Sequence, residues 1–197
     1  MSTRRVSVAV AGLLAIATVA TGCGSSSSSA SAPATPSTTD PMVVRVHAED
    51  GILGSTSDAD LVQDTADIAA GLPTDAPERV HGMDGAVSQH LTGTGGDDAV
   101  RVVGHFPDAA SAAAVVASFR TTHAPDGAAI TVFEVPGIPG AVGSSQHNRS
   151  GGRSLNVAFS VGDYEYVLGA ATSQGKPTQQ ELVNAAQAWY AKVKDLS

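Results

Sequence analysis

Leu155-Asn156-Val157-Ala158-Phe159-Ser160-Val161, then Gly162-Asp163, then Tyr164-Glu165-Tyr166-Val167-Leu168-Gly169-Ala170-Ala171 is the stretch that decides the fold. Two runs rich in β-branched and aromatic residues flank two residues of turn chemistry, the shortest connection that antiparallel strands accept. The spacing predicts a β-hairpin over 155–171. Downstream, Pro177 precedes Thr178, and Glu181 follows three residues later as a capping box. Leu182, Ala185, Ala186, Trp189 and Val193 then recur at helical spacing, so an amphipathic helix closes the chain. Trp189 reads as the core anchor of that helix rather than a ligand-stacking residue.

Upstream, Val100 to Phe106 is apolar and β-branched and reads as a central strand. Pro107-Asp108 opens a helix running to Arg120, with Ala112, Val115, Val116 and Phe119 on one face. Residues 129–135 form the next strand, ended by Pro136-Gly137-Ile138-Pro139-Gly140. Residues 143–153, rich in Gly and Ser, read as a polar loop. Before Val100 the pattern is thinner. Gly93-Thr94-Gly95-Gly96-Asp97-Asp98 is a turn, and residues 86–91 form a strand ahead of it. Ser57 caps a helix through Leu72, ended by Gly71 and Pro73, and residues 43–47 form a first β-prone strand. The predicted order is β-α-β-β-α-β, then the hairpin and the last helix. That is an α+β domain: an antiparallel sheet with helices packed on one face, and a C-terminal β-hairpin followed by a helix.

The N-terminus carries a different message. Arg4 and Arg5 precede a run over 6–20 that is apolar or small except for Ser7 and Thr18. A run of fifteen residues falls short of the roughly 20 that a membrane-spanning helix needs, so residues 1–22 read as an export signal. Ala20-Thr21-Gly22-Cys23 resembles the lipobox of bacterial lipoproteins, with Ala20 standing where that family prefers Leu. The resemblance implies that the Cys23 thiol carries a diacylglyceryl group and that the chain is cut just ahead of it. Together with an N-acyl chain of the palmitate type, that anchors a protein stably without spanning the bilayer, at about 0.8 kcal/mol per buried CH₂. The competing reading is an ordinary secretory signal that leaves Cys23 as a free thiol. Residues 23–41 then form a Ser/Pro/Thr-rich tether with nothing to bury. Its flexible stretch holds the domain about 20–25 Å from the membrane. Residues 42–197 form the single domain.

Losing Arg4 and Arg5 from the 11 Lys and Arg leaves nine against 19 Asp and Glu, a formal charge of −10. That excludes nucleic acid as a partner, since affinity there rests on basic residues neutralising phosphates. With one Cys in the chain, an internal disulfide is excluded as well.

Three further stretches carry a resemblance: Val102-Val103-Gly104-His105-Phe106-Pro107-Asp108-Ala109-Ala110, Val135-Pro136-Gly137-Ile138-Pro139-Gly140-Ala141, and Val161-Gly162-Asp163-Tyr164. They resemble small cell-envelope lipoproteins of actinobacteria, of mycobacterial type, across the leader and roughly residues 99–193. The resemblance implies location and fold kinship, on the outer face of the cell membrane. It brings no catalytic residues with it.

Chemical motifs are sparse. Gly169 and Gly175 are separated by five residues where a phosphate loop has four, and Pro177 stands where Ser or Thr would hold Mg²⁺. Of His47, His81, His90, His105, His123 and His147, none forms H-x-x-x-H or H-E-x-x-H, so no metal site and no cofactor are expected. Ser144, Ser145 and His147 raise a hydrolase alternative, which lacks a G-x-S-x-G elbow. His147, Asn148 and Arg149 are the candidate ligand-binding cluster. The expected function is therefore non-catalytic binding of a small apolar ligand or an envelope protein. A cell-envelope hydrolase and a purely structural lipoprotein are the alternatives.

Overall fold

The computed structural model describes residues 40–49, 53, 56–57, 61–64, 82–92, 98–120, 130–147, 152–172 and 176–196. The leader, Cys23, residues 24–39, residues 65–73, the 93–97 turn, Asn148 and Arg149 lie outside them. The elements are α1 (Pro41–Val46), β1 (Thr56–Ser57), β2 (Leu61–Asp64), β3 (Gly85–Thr92), β4 (Asp98–His105), α2 (Ala109–Ser118), β5 (Ile130–Phe133), β6 (Val142–His147), β7 (Arg153–Val161), β8 (Tyr164–Thr172) and α3 (Gln179–Val193). The strands form one antiparallel sheet in the order β1-β3-β4-β8-β7-β6-β5, with β2 also on β3. Register from Ala99↔Ala170 to His105↔Tyr164 joins the β3–β4 pair to the β5–β8 meander.

The α+β class and the closing hairpin and helix are as the sequence predicts. Gly162 has φ +59°, the left-handed value that a type II′ turn puts at its first central position. Val161 and Tyr164 pair across it. The helices, however, divide between the two faces of the sheet instead of sharing one. Val100, Val102, Ala158 and Val167 pack with Ala112, Val116 and Phe119 of the α2 segment. Val103, Leu155, Val157, Phe159, Tyr166 and Leu168 pack on the opposite face with α1 and α3. The cause is local: β4, β7 and β8 are apolar at successive positions, so the alternation of side chains makes both faces hydrophobic. Each face then needs a cover.

Three other expectations change. Residues 43–47 are not a strand, because Pro41–Val46 is helix α1. The Asp40 carboxylate accepts a hydrogen bond from the Met42 N–H at 2.8 Å, and Pro41 occupies the first turn. Asp40 and Pro41 thus belong to the folded domain, although the composition places them in the tether. The helix expected from Ser57 is replaced, where described, by strands: β1 and β2 both pair with the outer edge of β3. Where it is described, the expected 143–153 loop is strand: residues 143–147 belong to β6, which pairs with β5 on one side and β7 on the other, and Arg153 opens β7. Ser144, Ser145 and Gln146 are small or uncharged enough to be buried there.

A glycine makes this last pairing fit. A Cβ on Gly143 would lie 2.1 Å from Cε2 of Phe133, its cross-strand partner, so the ring occupies the space over the glycine. Gly143→Val is expected to lower stability by about 1–3 kcal/mol through overpacking. Urea denaturation measures it, and an unchanged midpoint would mean that the ring swings aside freely.

Helix α3 begins with the capping box read from the sequence. The Thr178 hydroxyl accepts from the Glu181 N–H at 3.2 Å, and the Glu181 carboxylate accepts from the Thr178 N–H at 2.7 Å. Thr178→Ala is expected to cost about 1 kcal/mol. The bond from the Thr178 backbone, and then that from its hydroxyl, holds the Glu181 carboxyl below its ordinary value of 4.5. A depressed folded-state pKa adds stability that is present above the unfolded pKa and lost as pH falls through the folded one. The stability gap between wild type and Glu181→Gln should therefore narrow as pH drops below 4.5. A gap that stays constant to lower pH would contradict the capping role.

Candidate functional site

The residue that the sequence singles out, His147, is the exposed last position of β6. Register places it directly opposite Arg153, the first residue of β7. Directly opposed residues on one sheet face have Cβ atoms about 4.5–5.5 Å apart. Two positions back along β6, on the same face, Ser145 is 4% exposed. Its Oγ accepts a hydrogen bond from Nη2 of Arg153 at 3.1 Å. Thr131 of the edge strand β5 pairs with Ser145 and is exposed. A guanidinium, an imidazole and two hydroxyls are thereby gathered at one end of β5–β7.

The charge around this end is one-sided. Following the alternation from the paired registers, none of the described residues on this face of β5–β8 is acidic. Arg153 is half-buried, and its Nε is buried with no hydrogen-bond partner among the described residues. Of the cluster expected at 147–149, the structure therefore places His147, while Asn148 and Arg149 lie outside the described residues. Arg153 and Thr131 were not legible as site residues, and Ser145 only as a hydrolase candidate, because strand register alone brings the three together. The alternation of Ser145 and His147 is the signal that a strand reading of residues 142–147 offers.

On the opposite face, the same end of these strands is polar and uncharged. Ser144 pairs with Asn156, and Asn156 with Gly169, while Gln146 pairs with Ser154. The Asn156 amide oxygen is buried and has no partner among the described residues. A Cβ on Gly169 would lie 2.8 Å from that oxygen, so the amide lies close over the glycine.

This geometry bears on the hydrolase alternative. Ser144 and His147 point to opposite faces of β6, so they cannot form a nucleophile–base pair. Ser145 shares the face of His147 but bonds Arg153, a cation that cannot take a proton from it. His105, a second histidine that could act as a base, ends β4 opposite Tyr164, at the far end of the sheet from Arg153. Its Nδ1 is 3.1 Å from Asp84 and its Nε2 is 3.3 Å from Asp163. A neutral ring donates to one of those carboxylates, while an imidazolium donates to both. Its ring also tilts against Tyr164, with centroids 5.0 Å apart. No described serine hydroxyl bonds it.

The space under α3 is filled by aromatic rings. Phe159 and Tyr166 stack with centroids 4.9 Å apart, and Trp189 meets both edge-on at 5.8 and 5.3 Å. Burial holds the Tyr166 hydroxyl above its ordinary pKa, against a smaller opposing effect from the Arg45 charge. Among the described residues, no group of three or more His, Cys, Asp or Glu side chains is placed to hold a metal ion. No described helix is long and apolar enough to cross a membrane.

No family model matches the chain, and no curated protein matches it. Among the solved structures that show a likeness are two mycobacterial proteins. The extracellular domain of PknH from Mycobacterium tuberculosis is 14% identical, with a TM-score of 0.48, covering 72% of this chain and 86% of that one. An uncharacterised Mycobacterium smegmatis protein, the Rv0999 ortholog, is 12% identical, with a TM-score of 0.46, covering 78% and 95%. Likeness of this size fixes neither fold nor function.

Proposed function

We propose that this chain is an exported lipoprotein, held on the outer face of the cell membrane through acylated Cys23, whose domain binds an envelope component without catalysis. The observation that carries the binding reading is the Ser145–His147–Arg153 end of β6–β7. It offers hydrogen-bond donors and positive charge, with no nucleophile–base pair among the described residues. The anchor reading rests on the lipobox resemblance and on the tether composition. The aromatic packing under α3 favours a polar ligand or a protein over a small apolar ligand.

The test is an ester and peptide substrate panel on the membrane-extracted protein, with Ser145→Ala, His147→Ala and His105→Ala beside it. No turnover by any of the four is expected. Turnover that disappears in one variant would make the protein an enzyme.

A second observation favours a protein partner. Thr131 and Val132 point to opposite faces of edge strand β5, and both are exposed. Such an uncharged edge is a template for strand addition by an extended segment. Val132→Lys should weaken capture of that partner without changing the melting temperature by more than a few degrees. Capture that is unaffected would remove the edge from the account.

A further inference from the structure

We infer that the β6–β7 end is an oxyanion site, taking a carboxylate or phosphate group between the Arg153 guanidinium, the Ser145 hydroxyl and the His147 ring. The inference rests on the binding reading above and names the ligand class for that site.

Each of the other described arginines has a carboxylate, ring or carbonyl partner. Arg120 pairs with Glu134 at 3.6 Å and donates to the Ala141 carbonyl. The Arg45 guanidinium lies 4.1 Å over the Tyr164 ring and donates to the Leu196 carbonyl. Arg101 donates to the Gln89 side chain and the Glu49 carbonyl. Arg153 has the Ser145 hydroxyl instead, and no carboxylate or aromatic ring among the described residues. A half-buried cation without a counter-charge is costly to keep, in a chain whose formal charge is −8. An anion supplied from outside the chain removes that cost.

The donor set fits an oxyanion. A guanidinium grips a carboxylate or phosphate through two parallel N–H donors. Nε is buried, which leaves Nη1 and the second N–H of Nη2 as the edge for the anion. Nη2 is directed at Ser145, and that hydroxyl, having accepted one hydrogen bond, keeps its own O–H to donate. His147 adds an exposed ring N–H across the strand pair. A carboxylate would come from a peptide terminus or acidic side chain, and a phosphate from a headgroup or free phosphate.

The experiment titrates the full chain in detergent with inorganic phosphate and, separately, with N-acetylglycine at low salt, reading heat and melting temperature. Saturable binding of one or both is expected, with affinity at least about tenfold weaker in R153Q and less reduced in R153K. Binding of phosphate alone assigns the phosphate source, and of N-acetylglycine alone the carboxylate source. Without ligand, R153Q should melt at or above the wild-type temperature, because an uncompensated charge has been removed. A lower melting temperature in R153Q, with no anion response in the wild type, would make the Arg153–Ser145 contact structural and overturn the inference. So would unchanged binding in R153Q. Ester turnover with anion binding intact would overturn the binding-only reading and leave the oxyanion site standing.

Discussion

Replacing Trp189 with Ala should remove about 3–5 kcal/mol of folding stability, the largest loss expected from any single truncation in the domain. The indole is fully buried at the centre of the α1/α3 face. It packs edge-on against both Phe159 and Tyr166, and its Nε1–H donates to the Arg45 carbonyl at 2.9 Å. Truncation therefore opens a cavity between helix and sheet and strips a partner from α1 at the same time. Since small domains hold about 5–15 kcal/mol in total, such a loss leaves a marginal protein. Trp189→Phe separates the two contributions. It restores most of the packing but not the bond, and should cost about 1–2 kcal/mol. Equal costs for the two variants in urea denaturation would show that cavity volume contributes little here.

Arg101→Ala is the second large loss, at about 3 kcal/mol. Arg101 is 1% exposed, on the face that α1 covers. Its head group ties the Gln89 side chain to the Glu49 carbonyl, and Gln89 in turn reaches the His47 ring at 3.4 Å. The network fastens the segment after α1 to strands β3 and β4. Truncation leaves buried acceptors without their donor and opens a cavity as well, whereas an apolar side chain of similar volume strands the acceptors but leaves no cavity. Arg101→Met should accordingly be closer to wild type than Arg101→Ala. Two equally unstable variants would show that charge, rather than filled volume, decides this position.

Both predictions rest on residues whose roles differ in legibility. Trp189 is readable because a capping box and helical spacing, both local to the sequence, fix the face it lies on. The same holds for Asp108, which caps α2 by accepting from the Ser111 N–H at 2.7 Å, and for the Gly162-Asp163 turn. These signals are set within a few residues. Arg101 sits in the middle of an apolar strand, and its burial depends on what α1 brings over it. Helix α1 is itself obscured, because Val43 and Val44 are β-branched while the deciding residues, Asp40 and Pro41, belong by composition to the tether. Strand β6 is obscured for the converse reason. Its Gly143-Ser144-Ser145-Gln146 run has loop composition, and only pairing on both edges makes it a strand. The candidate site inherits that difficulty. His147 stands out as a residue type, but its relation to Arg153 and Ser145 exists only in the register.

The central claim is that the domain is exported and held by lipid at Cys23. The most direct measurement is the intact mass of the membrane-extracted protein beside a Cys23→Ala variant. The expected wild-type chain begins at Cys23, carries added acyl mass and stays with the membrane fraction, while the variant gains no such mass and leaves it. A wild-type chain with no added mass, released like the variant, would contradict the anchor and make this a free secreted domain.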